Sequence, residues 1–204
     1  MSKSRRTLVL ATGNRGKVRE LTEILGEVPF YLKSLSDFAE VRPVEETGST
    51  FEENAILKAV GFASQTGEIS LADDSGLEVE ALGNRPGVLS ARFAGEDSGY
   101  DVKMAKLLEM IESTGDSGRR ARFVCVMALS DPDGHVLHIA RGVCEGTIAS
   151  APRGANGFGY DPIFIPEGYD RTFAELTDDV KSRVSHRSRA ASLIIRFLLD
   201  FTGV

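Results

Sequence analysis

The sequence predicts an α/β protein built around one mixed β-sheet. Three observations carry that prediction. Buried-strand and amphipathic-helix patterns alternate through the first part of the chain. Two long β-rich runs, Ala121 to Ser130 and His135 to Ile148, flank the turn Asp131-Pro132-Asp133-Gly134. The chain then closes on a helix with Ala190, Ile194, Phe197, Leu198 and Phe201 on one face. Crossover helices imply parallel strands and a tight turn implies antiparallel ones, so a single sheet holding both is mixed.

Taken in order, Thr7-Leu8-Val9-Leu10-Ala11 is a short continuous apolar run, as in a strand buried on both faces. Asn14 can cap the helix that follows, where Val18, Leu21 and Leu25 recur at helical spacing. Thr50-Phe51-Glu52-Glu53 has the capping-box pattern and opens a helix to about Thr66, with Ile56, Val60 and Ala63 expected to face inward. Ile69 to Ala72 reads as a second strand, and Leu77, Val79 and Ala81 alternate as a third. Asp101 to about Glu112 is helical, with Met104, Leu107, Leu108 and Ile111 on one side; Pro162 to Ile165 is one more short strand. No repeat, low-complexity tract or linker divides residues 1–204, so one domain is expected.

Composition narrows the function. The 204 residues are 42% hydrophobic and 26% charged, an ordinary globular balance. Lys+Arg 24 against Asp+Glu 30 leaves a net charge of −6, which argues against a duplex nucleic-acid binder yet permits a small anionic ligand held by local positive charge. No apolar run approaches the roughly 20 residues of a membrane span, and the basic start Met1 to Arg6 lacks the apolar stretch of a signal peptide. Across the hairpin, Cys125 falls opposite Ala140, about 13 Å from Cys144 at the usual strand rise, too far for a disulfide. A reduced, cytoplasmic protein is expected.

Four constellations could carry chemistry, the acidic one split between two places. The first strand-to-helix turn, Thr12-Gly13-Asn14-Arg15-Gly16-Lys17, joins two glycines to helix-start amides and a lysine, a combination that favours anions, although it lacks Walker-loop spacing. Acidic residues gather at Glu45-Glu46 and at Asp73-Asp74-Ser75-Gly76. Asp-Asp at the end of a buried strand is a costly place for charge unless something binds there. Hard carboxylate oxygens there suit Mg²⁺; turn capping and solvation are the alternatives, and surface charge is the simpler reading of Glu45-Glu46. Glycines around Phe158 and Tyr160 in Gly154 to Pro162 clear space beside an aromatic face, or the two aromatics simply plug the core. Lys181 to Arg189 places cations at the expected start of the last helix, where the dipole disfavours them unless an anionic or carbonyl-rich partner binds. His135 and His138 lie in the hairpin and read as structural.

Together these segments resemble the inosine triphosphate pyrophosphatase family. The matching stretches are Leu10 to Lys17, Thr50 to Ala59, Ala72 to Leu77, Pro86-Gly87 through Ser90-Ala91-Arg92-Phe93, Gly157 to Pro162, and Ser185-His186-Arg187. They occur in family order over nearly the whole chain. The resemblance implies an elongated two-lobed α/β fold with a central mixed sheet, a nucleotide cleft between the lobes, and a homodimer. It implies a Mg²⁺-dependent enzyme that converts deaminated purine nucleoside triphosphates (dITP, ITP, XTP) to monophosphate and pyrophosphate. Residue by residue, Thr12, Gly13, Asn14, Arg15, Gly16 and Lys17 would hold the phosphates, with Lys58 and Ser75 assisting. Glu45 and Asp74 would bind the metal, Asp74 serving as general base. Phe158, with Gly159, Tyr160 and Asp161, would receive the base, and Lys181, His186 and Arg187 would lie against base or sugar. Related alternatives are a Maf-type pyrophosphatase acting on pyrimidine or modified nucleotides, and a sensor that binds purine triphosphates without cleaving them.

Overall fold

The computed structural model describes residues 5–115 and 118–201; the expectation about a leader at Met1 to Ser4 lies outside them. Among the described residues seven strands form one sheet: β1 (Arg6–Leu10), β2 (Phe30–Ser34), β3 (Ile69–Val79), β4 (Arg85–Pro86), β5 (Arg120–Ser130), β6 (Val136–Ile148) and β7 (Phe164–Pro166). Their order is β2-β1-β3-β5-β6-β7, with β4 paired to β3 off this path. β1 runs parallel to β2 and β3, while β4 on β3 and β7 on β6 are antiparallel, so the sheet is mixed as expected. The same described residues hold five α-helices: α1 (Arg15–Ile24), α2 (Phe51–Thr66), α3 (Tyr100–Ser113), α4 (Asp178–Val184) and α5 (His186–Asp200).

Two compact units emerge from the contacts. One comprises residues up to Asp74, Cys125–Gly142 and the chain from Arg187; the other comprises Ser75–Val124 and Val143–His186. The core of the first unit gathers Leu8 and Leu10 of β1, Leu21 and Leu25 at α1, Ile69 and Leu71 of β3, Met127 and Leu129 of β5, and Ile194 and Leu198 of α5. The core of the second unit gathers Leu77 and Val79, Leu107 and Ile111 of α3, Phe123, Tyr160, Phe164 and Phe173.

Several elements depart from the sequence reading. Phe30–Ser34 is a strand at the sheet edge; its burial alternates, but exposed Tyr31 hides that alternation in the sequence. Ile69 to Val79 is one strand rather than two, so Asp73 and Asp74 lie inside it and not beyond its end. The buried stripe of α2 is Phe51, Asn54, Ala55, Lys58, Ala59, Phe62 and Ala63, whereas Ile56 and Val60 are only half-buried. The last helical region breaks at Ser185, whose backbone is extended. Lys181 and Arg183 therefore sit in the last turn of α4, the end where the helix dipole favours cations. The expected strand at Pro162 to Ile165 begins later, at Phe164, after a 3₁₀ turn over Asp161–Ile163.

Candidate active site

In the first unit the chemistry gathers on β3. Successive side chains of a strand point to opposite faces, so Asp73 and Asp74 are neutralised from opposite sides. Asp73, 2% exposed, receives Lys17 Nζ at 2.9 Å and Arg187 Nη2 at 3.4 Å, cations from α1 and α5. Arg187 also pairs through Nη1 with Glu20 Oε2 at 2.5 Å, and the Cys125 thiol approaches Asp73 Oδ2 at 3.9 Å. Asp74 accepts from Asn54 Nδ2 at 3.2 Å and Lys58 Nζ at 3.3 Å, both on the buried stripe of α2. Lys58 also reaches Glu46 Oε2 at 3.2 Å. Two polar residues on an otherwise apolar helix face are thus spent on one carboxylate. Capping at both ends fixes α2 itself: the Thr50–Glu53 capping box opens it, and Gly67 closes it in the left-handed conformation.

Burial pushes the Asp74 carboxyl above its ordinary value, against the pull of Lys58 and Lys17. Lys58 shifts upward because Asp74, Asp73 and Glu46 outweigh its burial, and it stays protonated. Arg187, enclosed by Asp73 and Glu20, is shifted upward too.

At the turn before α1, Asn14 caps the helix: its Oδ1 accepts from Gly16 N at 2.9 Å and Lys17 N at 3.2 Å, and its own N donates to Thr12 Oγ1 at 3.2 Å. Two helix-start amides are therefore already engaged, and the loop's positive charge rests on Arg15 and Lys17. Of the expected metal ligands, Asp74 is buried and Glu45 is exposed; Glu46, rather than Glu45, shares the Lys58 ammonium with Asp74. Glu46 and Asp74 thus present two hard carboxylate oxygens from separate elements to one positive centre, a donor set that suits Mg²⁺. Asp131, Asp133 and His135 also bring three ligand atoms together at the hairpin turn, where His135 Nδ1 lies 3.1 Å from Asp131 Oδ2.

In the second unit a tight loop presents Phe158. Gly157 and Gly159 are left-handed, at φ 75° and 71°. A Cβ on Gly157 would stand 2.1 Å from Asp161 Oδ2, so only glycine lets the loop close. Asp161 Oδ2 accepts from Phe158 N at 2.9 Å and Lys181 Nζ at 2.7 Å. Lys181 is thereby held over the Phe158 ring, 4.8 Å from its centroid. Phe158 is half-buried, whereas Tyr160 belongs to the core, so the two aromatics have different roles. His186 stacks on Phe123 with centroids 4.7 Å apart and planes 12° from parallel. Ser75 begins this unit's share of β3. Of the residues expected against base or sugar, Lys181 lies at Phe158, while Arg187 lies in the first unit on Glu20 and Asp73. Glu20 and Asn54 went unnoticed in the sequence; Asn54 had a signal, as a polar residue on the inward stripe of α2.

The fold is thus a mixed α/β sheet whose first unit buries Asp74 beside Lys58 and whose second unit sets Phe158 beside Lys181. The chain belongs to the Ham1 family, whose model matches residues 8–197. It is 48% identical over 191 residues to a dITP/XTP pyrophosphatase of Desulforamulus reducens, covering 94% of each chain. It is 49% identical over 184 residues to a dITP/XTP pyrophosphatase of Bacillus anthracis, covering 90% of this chain and 91% of that one. Among solved structures, a HAM1 protein from Coxiella burnetii superposes with a TM-score of 0.88 at 45% identity, covering 95% of this chain and 98% of that one.

Proposed function

We propose that this protein hydrolyses deaminated purine nucleoside triphosphates (dITP, ITP and XTP) to the monophosphate and pyrophosphate, keeping them out of DNA and RNA. The observation that carries the reading is Asp74, a buried carboxylate held by Asn54 and Lys58 with burial raising its basicity. The 48%-identical relative, a dITP/XTP pyrophosphatase, supports it.

A triphosphate repels an attacking hydroxide, so charge must be neutralised first. Thr12 to Lys17 would bind the phosphates, Lys17 and Lys58 supplying cations and Ser75 a hydroxyl. Asp73 and Asp74 hold those ammonium groups in place until the anion arrives. Asp74, with the Glu45-Glu46 pair, would hold Mg²⁺, which when bound polarises a phosphoryl oxygen and lowers the pKa of a coordinated water. Asp74 would orient and deprotonate the attacking water for in-line displacement at the α-phosphorus, with pyrophosphate leaving.

The base would stack on Phe158, beside Gly159. Lys181, fixed by Asp161, would donate to the 6-keto oxygen of hypoxanthine or xanthine; His186 and Arg187 complete the expected surroundings of base and sugar. Adenine offers an amino group there and leaves the donor unpaired, a mismatch worth about 1–3 kcal/mol. We also assign the protein to a homodimer, on the family resemblance, and to the cytoplasm, where its two free buried cysteines stay reduced. No helix among the described residues is long and apolar enough to cross a membrane. Pyrophosphate release from dITP, XTP, dTTP and dGTP with Mg²⁺ tests the reading: preference for dITP and XTP supports it, and preference for dTTP overturns the base assignment.

A further inference from the structure

The segment Pro86 to Phe93 has no role in the chemistry described so far, yet one of its residues meets the base loop. Tyr160 is 2% exposed and donates its hydroxyl to the Ser90 carbonyl at 3.0 Å. That carbonyl is held in turn: Ser90 Oγ accepts from Leu77 N at 2.9 Å and donates to Gly87 O at 2.6 Å. Tyr100 packs edge-on against Tyr160, with ring centroids 5.3 Å apart and planes perpendicular. Between Gly157 and Asp161, then, one aromatic is half-exposed and its neighbour but one is locked into the core.

From this we infer that Tyr160 and Ser90 are positioning residues: the Tyr160 hydroxyl, anchored on the Ser90 carbonyl, fixes the glycine-flanked loop so that Phe158 is presented to the purine. The inference rests on the proposed function and goes beyond it, because it takes Tyr160 out of contact with substrate and gives Pro86 to Phe93 a task. The physical need is plain. Two left-handed glycines leave the Phe158 backbone with little intrinsic preference for one conformation. Asp161 holds Phe158 N from within the same loop. The Tyr160 hydroxyl ties this loop to a segment distant in sequence, and without it part of the binding energy of the base is spent on ordering the loop.

The test compares steady-state kinetics of wild type and Tyr160→Phe with ITP, alongside competitive inhibition by tripolyphosphate, which has no base. Losing one net hydrogen bond predicts a KM for ITP raised about three- to tenfold, with kcat and the tripolyphosphate inhibition constant unchanged. Ser90→Ala should reproduce the KM rise, and Ser90→Thr, which keeps the hydroxyl, should restore most of it, so the question stays answerable should Tyr160→Phe fold poorly. An unchanged KM in a folded Tyr160→Phe, or parallel losses in KM, kcat and tripolyphosphate inhibition, overturns the positioning role while leaving the functional reading intact. Absence of ITP turnover in the wild type overturns both.

Discussion

Lys17 Nζ lies 2.9 Å from Asp73 Oδ2, and the same oxygen takes Arg187 Nη2 at 3.4 Å. One carboxylate thus ties the first helix to the last through a strand between them. Asp74, the next residue, faces the other way and meets α2. Adjacent aspartates of one strand therefore do opposite jobs, and their substitutions should differ in sign.

Asp73→Asn removes the shared counter-charge of two cations, of which Arg187 is 2% exposed. Breaking a buried pair at one end leaves the other charge uncompensated. With Glu20 still holding Arg187, we expect a loss of about 3 kcal/mol, read from urea unfolding with an unchanged m-value. Wild-type stability would contradict the ion-pair role.

Asp74→Asn should lower turnover by about 10²- to 10⁴-fold, the usual worth of a positioned base, while calorimetric ITP affinity largely survives. Its stability should move the other way. The folded carboxyl titrates above its ordinary value because of burial, so between the two values the native state holds more protons than the unfolded one. Stability then falls as pH rises through that window, and the ionised group is a burden at neutral pH. Lys58 loses one counter-charge but keeps Glu46 at 3.2 Å, so melting curves against pH in chelator should show Asp74→Asn at least as stable as wild type at pH 7, the two converging below the ordinary carboxylate range. A markedly less stable variant would contradict the burial argument.

Lys17→Ala should raise the KM for ITP by roughly tenfold or more, since hydrogen bonds to charged groups are worth about 1.5–3 kcal/mol, and should leave inosine binding almost unchanged. Equal effects on triphosphate and nucleoside would remove Lys17 from the phosphate site.

Phe158→Ala should weaken ITP binding by about 1–3 kcal/mol, the range for base stacking on an aromatic ring, with kcat largely kept. A large fall in kcat at constant KM would argue against a stacking platform.

Most of this fold was legible because its signals are local. The Thr50–Glu53 box and the Asn14 cap fix helix starts, and the Asp131 to Gly134 turn fixes the long hairpin. The failures share a cause, partners distant in sequence. Asp73 and Asp74 looked like a strand end because their countercharges, Lys17, Lys58 and Arg187, come from three separate helices. The inward face of α2 was misread because Asn54 and Lys58 count as polar until Asp74 is seen beside them. Phe158 and Tyr160 alternate in sequence with nothing to tell them apart; the Ser90 carbonyl makes one an anchor and leaves the other as a surface. Chemical type was readable, and the division of labour between neighbours was not.

The most direct test is the fate of one oxygen atom: turnover of ITP with Mg²⁺ in ¹⁸O-enriched water, the products followed by phosphorus NMR and mass spectrometry. Attack at the α-phosphorus by a water that Asp74 orients predicts inosine monophosphate carrying the label and unlabelled pyrophosphate. Labelled pyrophosphate, or inosine diphosphate with orthophosphate, would contradict it.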